Sequence, residues 1–307
     1  MERRNSTVVT EFLLLGLSNV PEHQMVLFGV FLTMYIFNVL GNSIIITIIR
    51  VEPQLHTPMY FFLSNLSFVD ICLTSITVPK MLANIILGSK SISLVSCFVQ
   101  IFLFHSVGNM DSFLLAVMAY DRYIAICDPL HYATVVNKRR CIQLVAISWL
   151  VVSLHAVLFA VMTSTLSYCG PNTIHHFFCD LPPLMKLSCS DISTNELIVF
   201  IEGSLIVMGP CLFILFSYAA ILMALLKMHS VEGRYKAFST CASHLTVVVM
   251  FYGTVIFMYF RPLSSYSFDY DRVVSVMYSA VTPMLNPFIY SLRNKEVKGA
   301  LYRAIRR

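Results

Sequence analysis

Charged side chains are scarce in this 307-residue chain: Asp, Glu, Lys and Arg make up 12% of it, whereas 57% of the residues are hydrophobic. Soluble domains carry about 25% charged residues, so this composition excludes an ordinary soluble fold. The mean hydropathy of +0.76 points the same way. Length and composition together therefore indicate a membrane protein.

Several sequence patterns are also missing. The chain shows no nucleophile–base spacing, zinc motif or phosphate loop, so we expect no enzyme activity, no catalytic residue and no metal centre. It shows no internal repeat, which makes an ion-coupled transporter the weaker alternative. The polar first 20 residues do not look like a cleavable leader, so we expect the first apolar helix to act as the insertion signal. We expect no nucleic-acid partner.

What the chain does contain is seven apolar runs, each long enough to cross about 30 Å of hydrocarbon as a helix. They cover residues 25–49, 58–87, 98–126, 141–161, 197–226, 237–260 and 273–292. The predicted fold class is an all-α membrane protein, a seven-transmembrane helix bundle with a short C-terminal amphipathic helix. The predicted parts are an extracellular N-terminus (1–24), a receptor domain (25–292) and a cytoplasmic tail (293–307).

Lysine and arginine indicate the orientation of the bundle, because positive side chains are retained on the cytoplasmic side. Most of them follow the odd-numbered runs, including Lys138, Arg139, Arg140 and the basic tail. The N-terminus is therefore expected outside, where Asn5 would be a glycosylation acceptor.

The basic tail has apolar residues at helical spacing. Val297, Leu301, Ala304 and Ile305 lie opposite Lys298, Arg303 and Arg306. This pattern predicts a helix on an anionic leaflet, with membrane lipid as its partner. The alternative is a frayed basic tail.

Four of the nine cysteines, Cys97, Cys169, Cys179 and Cys189, fall in outer segments. An oxidising compartment favours disulfides, and four cysteines allow three connectivities. We favour Cys97 with Cys179, which ties the long outer loop over the mouth of the bundle, and Cys169 with Cys189.

A charged pair, Asp121-Arg122, ends the third apolar run. At a membrane interface its guanidinium can reach water or a protein partner, so the pair is a candidate switch that changes partners between two states. The alternative is a plain interfacial anchor.

Seven spans, an outer cysteine on run three and the Asp121-Arg122-Tyr123 sequence resemble a rhodopsin-like G-protein-coupled receptor. Finer motifs are similar to those of olfactory (odorant) receptors: LHTPMYFFL at 55–63, MAYDRYIAIC at 118–127, KAFSTCASHL at 236–245 and PMLNPFIY at 283–290. They occur in the expected order and span nearly the whole chain. One departure from most rhodopsin-like receptors is FYG at 251–253, where those receptors carry a tryptophan.

The resemblance implies a receptor for small volatile molecules that activates a stimulatory olfactory G protein, raises cyclic AMP and lies in the plasma membrane of olfactory sensory neuron cilia. A metabolite receptor outside the nose is the alternative within the same class. The residues that the resemblance assigns to coupling and activation are Asp121, Arg122, Tyr123, Tyr218, His244, Asn286, Pro287 and Tyr290. Tyr218 and Tyr290 are expected to swing toward Arg122 on activation.

Two carboxylates, Asp70 and Asp111, lie inside apolar runs and are costly there unless paired or hydrated. With Asn42, Ser112 and Asn286 they can form a hydrated centre for a proton or for a sodium ion acting as an allosteric modulator. The alternative is a neutral pair that fixes helix packing. We expect no other cofactor.

A ligand pocket is expected toward the outer side, mostly apolar with a few hydrogen-bonding groups. Its expected lining is Phe104, His105, Gly108, Asn109, Ser112, Glu202, Ile206, Phe251, Tyr252, Val255, Tyr259, Val276 and Ser279. Interhelical packing is the alternative for each. His105 and Glu202 are candidates to pair, to bind a cation or to hold a ligand's polar group.

Overall fold

The computed structural model describes residues 9–18, 20–169, 172–227, 230–260, 268–293 and 295–305. Within these ranges seven helical spans are long and apolar enough to cross a membrane, so the predicted seven-helix bundle is confirmed. A helix pairs its own backbone groups, which an apolar run in lipid requires. The helices are α1 (Pro21–Val51), α2 (Pro58–Leu87), α3 (Leu94–Cys127), α4 (Tyr132–Val135), α5 (Lys138–Ser164), α6 (Leu181–Leu187), α7 (Ser193–Gly203), α8 (Gly209–Lys227), α9 (Val231–Tyr259), α10 (Phe268–Val276), α11 (Thr282–Arg293) and α12 (Lys295–Ile305).

Local signals set where the spans begin and end. Pro21 and Pro58 occupy the first turns of α1 and α2, where a missing N–H costs nothing. The side chains of Ser93 and Asn137 accept backbone N–H groups at the starts of α3 and α5. Gly88, with φ of +64°, ends α2 in the left-handed conformation. Most of the helices extend a few residues beyond the predicted apolar runs for this reason.

Two spans contain a π-helical segment that the apolar pattern does not predict. Ser204–Met208 joins α7 to α8 in the fifth span, and Met277–Val281 joins α10 to α11 in the seventh. A π turn holds more residues than an α turn, so it shifts which side chains face the bundle. Both shifts alter the candidate site.

One end of the bundle carries both disulfides, Cys97–Cys179 and Cys169–Cys189, the pairing that the sequence analysis favoured. We call it the disulfide end. The opposite end, where α3 finishes with Asp121-Arg122-Tyr123, is the Asp-Arg-Tyr end. The five remaining cysteines are unpaired.

The disulfide end also carries a small sheet that the sequence analysis did not predict. Strand β1 (Glu11–Leu14) pairs antiparallel with β2 (Ser91–Ser93) and parallel with β3 (Thr173–Ile174). Phe12 and Leu14 of β1 are buried in a cluster with Cys97 and Cys179. The N-terminal segment is therefore packed against the loop that the disulfide holds.

At the Asp-Arg-Tyr end the tail forms α12, as predicted. Val297 and Ala300 are buried, and Lys298 is exposed. Arg303 donates to the carboxylate of Glu52 at 3.1 Å, and the hydroxyl of Tyr60 donates to Glu296 at 2.6 Å. These bonds attach α12 to the bundle, whereas the amphipathic pattern of the tail predicts only contact with lipid.

Candidate functional site

A cavity of about 60 Å³ lies inside the bundle toward the disulfide end. A cavity of this size has room for roughly four to six water molecules, so a larger guest requires the walls to move. The expected lining residues found there are Phe104, His105, Gly108, Asn109, Phe251, Val255 and Tyr259. Lining residues that the sequence analysis did not name are Leu73, His155, Phe159, Val199, Phe200, Gly203, Val207, Phe260 and Tyr278.

Four of the expected residues lie outside the cavity lining, two in each of the spans that contain a π-helical segment. In the fifth span Val207, rather than Ile206, lines the cavity, and Glu202 lies beside it. In the seventh span Tyr278 lines the cavity, whereas Val276 and Ser279 do not. An α-helical spacing of three or four residues does not hold across a π turn.

Two further expected residues, Ser112 and Tyr252, also lie outside the lining. Their hydroxyl groups are hydrogen-bonded to each other at 2.7 Å, and both side chains are buried. The bond joins α3 to α9 beside Phe251, which does line the cavity. Ser112 therefore does not join the polar group around Asp70.

The carboxylate of Asp180, fully buried, connects the outer loop to three walls of the cavity. It accepts from the hydroxyl of Tyr259 at 3.0 Å and of Tyr278 at 3.4 Å, and lies 3.6 Å from Nε2 of His105. It also accepts the backbone N–H of Leu181 at 2.8 Å and so caps α6. Neither its contacts with the helices nor its burial could be predicted from the sequence. Its position directly after Cys179 was a usable signal, because the disulfide holds that residue against α3.

Asp180 is held in its ionised form. Burial alone would raise its pKa, but the neighbouring imidazoles of His105 and His176, with the Leu181 N–H, lower the pKa below its ordinary value. A buried negative charge therefore lies next to the cavity.

His105 and Glu202 do not pair with each other, which corrects one of the expected arrangements. His105 faces Asp180, whereas Oε2 of Glu202 lies 4.0 Å from Nδ1 of His155 on α5. His155 was not predicted and lines the cavity. His105 on α3 and His155 on α5 thus each face a different carboxylate.

His176, in the loop between α5 and α6, is fully buried next to this network. Its Nε2 is 3.0 Å from the hydroxyl of Ser275, and its ring stacks on Phe177. Burial lowers its pKa to about 4, with the charge of Arg272 acting in the same direction and that of Asp180 opposing it. The imidazole is therefore neutral at pH 7.

The buried polar centre forms around Asp70. Both of its carboxylate oxygens accept from the Nδ2 of Asn286, at 3.0 and 2.9 Å, which joins α2 to α11. Asp111 is buried on α3. Asn42 instead donates to Asn38 at 2.5 Å and to the Pro283 carbonyl at 3.3 Å. Of the five residues expected at this centre, Asp70 and Asn286 are bonded to each other and Asp111 lies close enough to interact with Asp70, whereas Asn42 and Ser112 are bonded elsewhere.

At the Asp-Arg-Tyr end, Asp121 accepts from the hydroxyl of Tyr132 on α4 at 2.7 Å. Arg122 contacts the sulfur of Met59, and within the described part of the chain it has no carboxylate partner. Within the described residues no salt bridge joins Asp121 to Arg122, although the two side chains are neighbours and their charges interact. Burial raises the pKa of Tyr132, with Asp121 as a further cause, so its hydroxyl stays protonated.

The other expected switch residues lie on the facing helices. The hydroxyl of Tyr218 is 2.7 Å from Nδ1 of His244, whose Nε2 is 3.0 Å from the carbonyl of Leu115. Tyr123 and Tyr218 both pack against the buried cluster of Ile221, Leu225 and Cys241. Tyr290 is buried on α11. Pro287 lies so close to α1 that a Cβ on Gly41 would meet its ring at 3.3 Å. Asn5 lies outside the described residues.

Comparison with known proteins decides the family. A family model described as olfactory receptor matches residues 31–307. The chain belongs to the olfactory receptor family. Among its relatives, olfactory receptor 1C1 of Homo sapiens is 54% identical over 305 residues, covering 99% of this chain and 97% of the relative. Olfactory receptor 1f45 of Rattus norvegicus is 53% identical over 305 residues, with the same coverage. Olfactory receptor 1F1 of Homo sapiens is 53% identical over 307 residues, covering 100% and 98%.

This olfactory receptor is therefore an odorant-sensing G-protein-coupled receptor and a multi-pass membrane protein. Family membership supports a general role in binding odorants and coupling to a G protein.

Proposed function

We propose that this receptor binds a small volatile molecule in the cavity between α3, α5, α7, α9 and the π-helical segment of the seventh span. Binding then activates a stimulatory olfactory G protein and raises cyclic AMP. The observation that carries the proposal is the group formed by His105, Tyr259 and Tyr278 around Asp180. Three cavity walls meet at one buried carboxylate, so a guest that moves a wall changes this group.

The lining indicates the chemistry of the guest. Phe104, Val255 and Phe251 give an apolar wall, which favours a hydrophobic molecule. Asn109 of α3 and His155 of α5 add polar side chains to the lining. A compact hydrophobic molecule with one oxygen or nitrogen that forms hydrogen bonds suits this arrangement.

The path from the cavity to the coupling end follows α9. Its residues Phe251 and Tyr259 lie at the cavity, Tyr252 is bonded to α3 through Ser112, and His244 contacts Tyr218 near the far end. A rigid helix shift on ligand binding would change both ends together. Release of His244 from Tyr218 would free the hydroxyl of Tyr218 to approach Arg122.

The distribution of positive side chains supports an orientation with the disulfide end outside the cell and the Asp-Arg-Tyr end in the cytosol. Disulfides also form in oxidising compartments. We place the receptor in the plasma membrane of olfactory sensory neuron cilia. An epitope at Arg307 that antibodies reach on intact cells would contradict this orientation.

A cyclic AMP screen of chemically diverse volatiles tests the proposal in cells where surface receptor is measured. We expect at least one volatile to raise cyclic AMP. Phe104→Ala should lower the potency of that volatile at least about tenfold, because an aromatic wall is lost. The matched change Phe68→Ala, on the lipid-facing side of α2, should leave potency unchanged. Flat responses in surface-positive cells would contradict the proposal.

A further inference from the structure

A second, larger cavity lies on the outside of the bundle near the Asp-Arg-Tyr end. It is a groove of about 710 Å³ between α3, α5 and α8, with α4 at one end. Helices α5 and α8 each pack closely against α3 but hardly contact each other, which leaves the space between them open. Ile147 and Phe213, exposed side chains of α5 and α8, line the groove and reach its rim. The groove therefore opens toward the membrane.

The groove is apolar along its length and basic at one end. Phe113 and Val117 of α3 give it hydrocarbon walls, whereas Arg140, in the first turn of α5, lies at the end nearest α4. Arg140 donates one guanidinium N–H to the carbonyl of Val135 at 3.0 Å and keeps further donors available. Within the described part of the chain it has no acidic partner. An anionic amphiphile matches this groove in both charge and shape, because its headgroup can lie at Arg140 and its hydrocarbon chain along the apolar walls.

We propose that this groove binds an anionic glycerophospholipid from the leaflet at the Asp-Arg-Tyr end. Its headgroup would accept hydrogen bonds from Arg140, and one acyl chain would lie between α3, α5 and α8 along Phe113 and Phe213. From Arg140 to Ile147 the helix rises about 10 Å, so the slot takes roughly the first half of an acyl chain that extends toward the bilayer midplane.

Lipid in this groove would act on the coupling end. Tyr120, which lines the groove, precedes Asp121. Val135, the last residue of α4, and Val136 after it also line the groove. An acyl chain against these residues stabilises α4 and the hydrogen bond from Tyr132 to Asp121. The lipid would therefore favour the arrangement of this structure by binding it better than one in which α4 has moved.

Photolabelling tests the site without any odorant or G protein, so its outcome is independent of the proposed function. The purified full chain is placed in nanodiscs of phosphatidylcholine with a trace of phosphatidylserine that carries a photoreactive acyl chain. We expect labelled peptides to come from the α3, α5 and α8 faces of the groove. A photoreactive phosphatidylcholine, used at the same level, should label these peptides far less.

Two variants with matched controls decide the result. Arg140→Gln should lower groove labelling about fivefold, as expected for one arginine near an anionic surface, whereas Arg139→Gln should not. Gly209→Leu should also lower it, because a Cβ at Gly209 meets no atom within 4 Å and a leucine there occupies the groove. Gly29, on the exposed side of α1, has the same free space, so Gly29→Leu is its control.

Three results would overturn the proposal. Equal labelling by phosphatidylcholine means that the groove does not select anionic lipid. If labelling is unchanged in both Arg140→Gln and Gly209→Leu, the label came from lipid around the whole bundle and not from the groove. Loss of G-protein coupling in Arg140→Gln with full labelling by phosphatidylserine means that this arginine serves a protein partner instead.

Discussion

The hydroxyl of Tyr259, near the end of α9, donates to the carboxylate of Asp180, in the outer loop, at 3.0 Å. This bond connects the segment held by the Cys97–Cys179 disulfide to the helix that contains His244. Both side chains border the cavity region, and Asp180 is fully buried. A ligand that displaces Tyr259 must therefore alter a charge-assisted hydrogen bond inside the protein.

Removal of this bond should destabilise the receptor. In Tyr259→Phe the aromatic ring stays and only the donor to Asp180 is lost, so the free energy of unfolding should fall by about 1–3 kcal/mol. Thermal unfolding of the purified receptor measures the change. Tyr270→Phe is the control, because Tyr270 is 72% exposed on α10 and its substitution should cost less than about 0.5 kcal/mol. Equal effects of the two variants would argue against a structural role for the bond.

Acid should weaken the outer loop through His176. Its pKa is lowered to about 4 in the folded receptor, below the usual value of about 6.5, so the unfolded chain binds the proton more readily. This contribution to stability is complete above about pH 6.5 and is lost as the pH falls toward 4. The loss in the free energy of unfolding is about 3 kcal/mol. The lowered pKa of Asp180 adds a further loss at still lower pH.

The difference between two pH profiles isolates this histidine. His176→Gln, which cannot take up the proton, should show a flatter fall in melting temperature between pH 6.5 and 4 than the unchanged receptor. A His176→Gln profile as steep as that of the parent would show that protonation of His176 does not destabilise the receptor.

The helices could be predicted from the sequence because an apolar run in lipid has few ways to satisfy its backbone. The cavity could be predicted only in part. Val207 and Tyr278 line the cavity in place of Ile206, Val276 and Ser279. Both lie in π turns, which change the register of a helix, and the apolar pattern of the sequence is the same with or without such a turn. The contacts of Asp180 depend on where the outer loop folds back, which local sequence does not specify. Strand β1 was missed for a similar reason: Phe12 and Leu14 are buried only because the disulfide end offers a surface.

Arg122 should be required for coupling and not for binding. We expect Arg122→Ala to abolish the cyclic AMP response to an active volatile while binding of that volatile is retained, because Arg122 lies at the opposite end from the cavity. Receptor density at the cell surface must be measured in parallel. Arg139→Ala, which removes an exposed arginine from the same end, should keep most of the response. Joint loss of binding and response in Arg122→Ala would indicate a folding defect.

Sodium should act through Asp70. If the carboxylate bonded to Asn286 also holds a sodium ion in the resting state, replacing sodium with choline should raise agonist potency several-fold, because a ligand of the resting state opposes activation. Asp70→Asn should abolish this dependence. Asp191→Asn, in an exposed loop, should retain it. Identical sodium responses in the parent and in Asp70→Asn would favour the alternative, a pair that only fixes helix packing.

The most direct test places a side chain in the cavity itself. A Cβ on Gly108 of α3 would meet only the Cδ1 of Leu73, at 3.8 Å, so Gly108→Leu places its side chain where a guest must lie. Gly253→Leu makes the same change on the exposed side of α9, where a Cβ meets no atom within 4 Å. At equal surface density, Gly108→Leu should lose at least about tenfold in potency for every active volatile, and Gly253→Leu should respond like the parent. Unchanged potency in Gly108→Leu would show that odorants do not bind in this cavity.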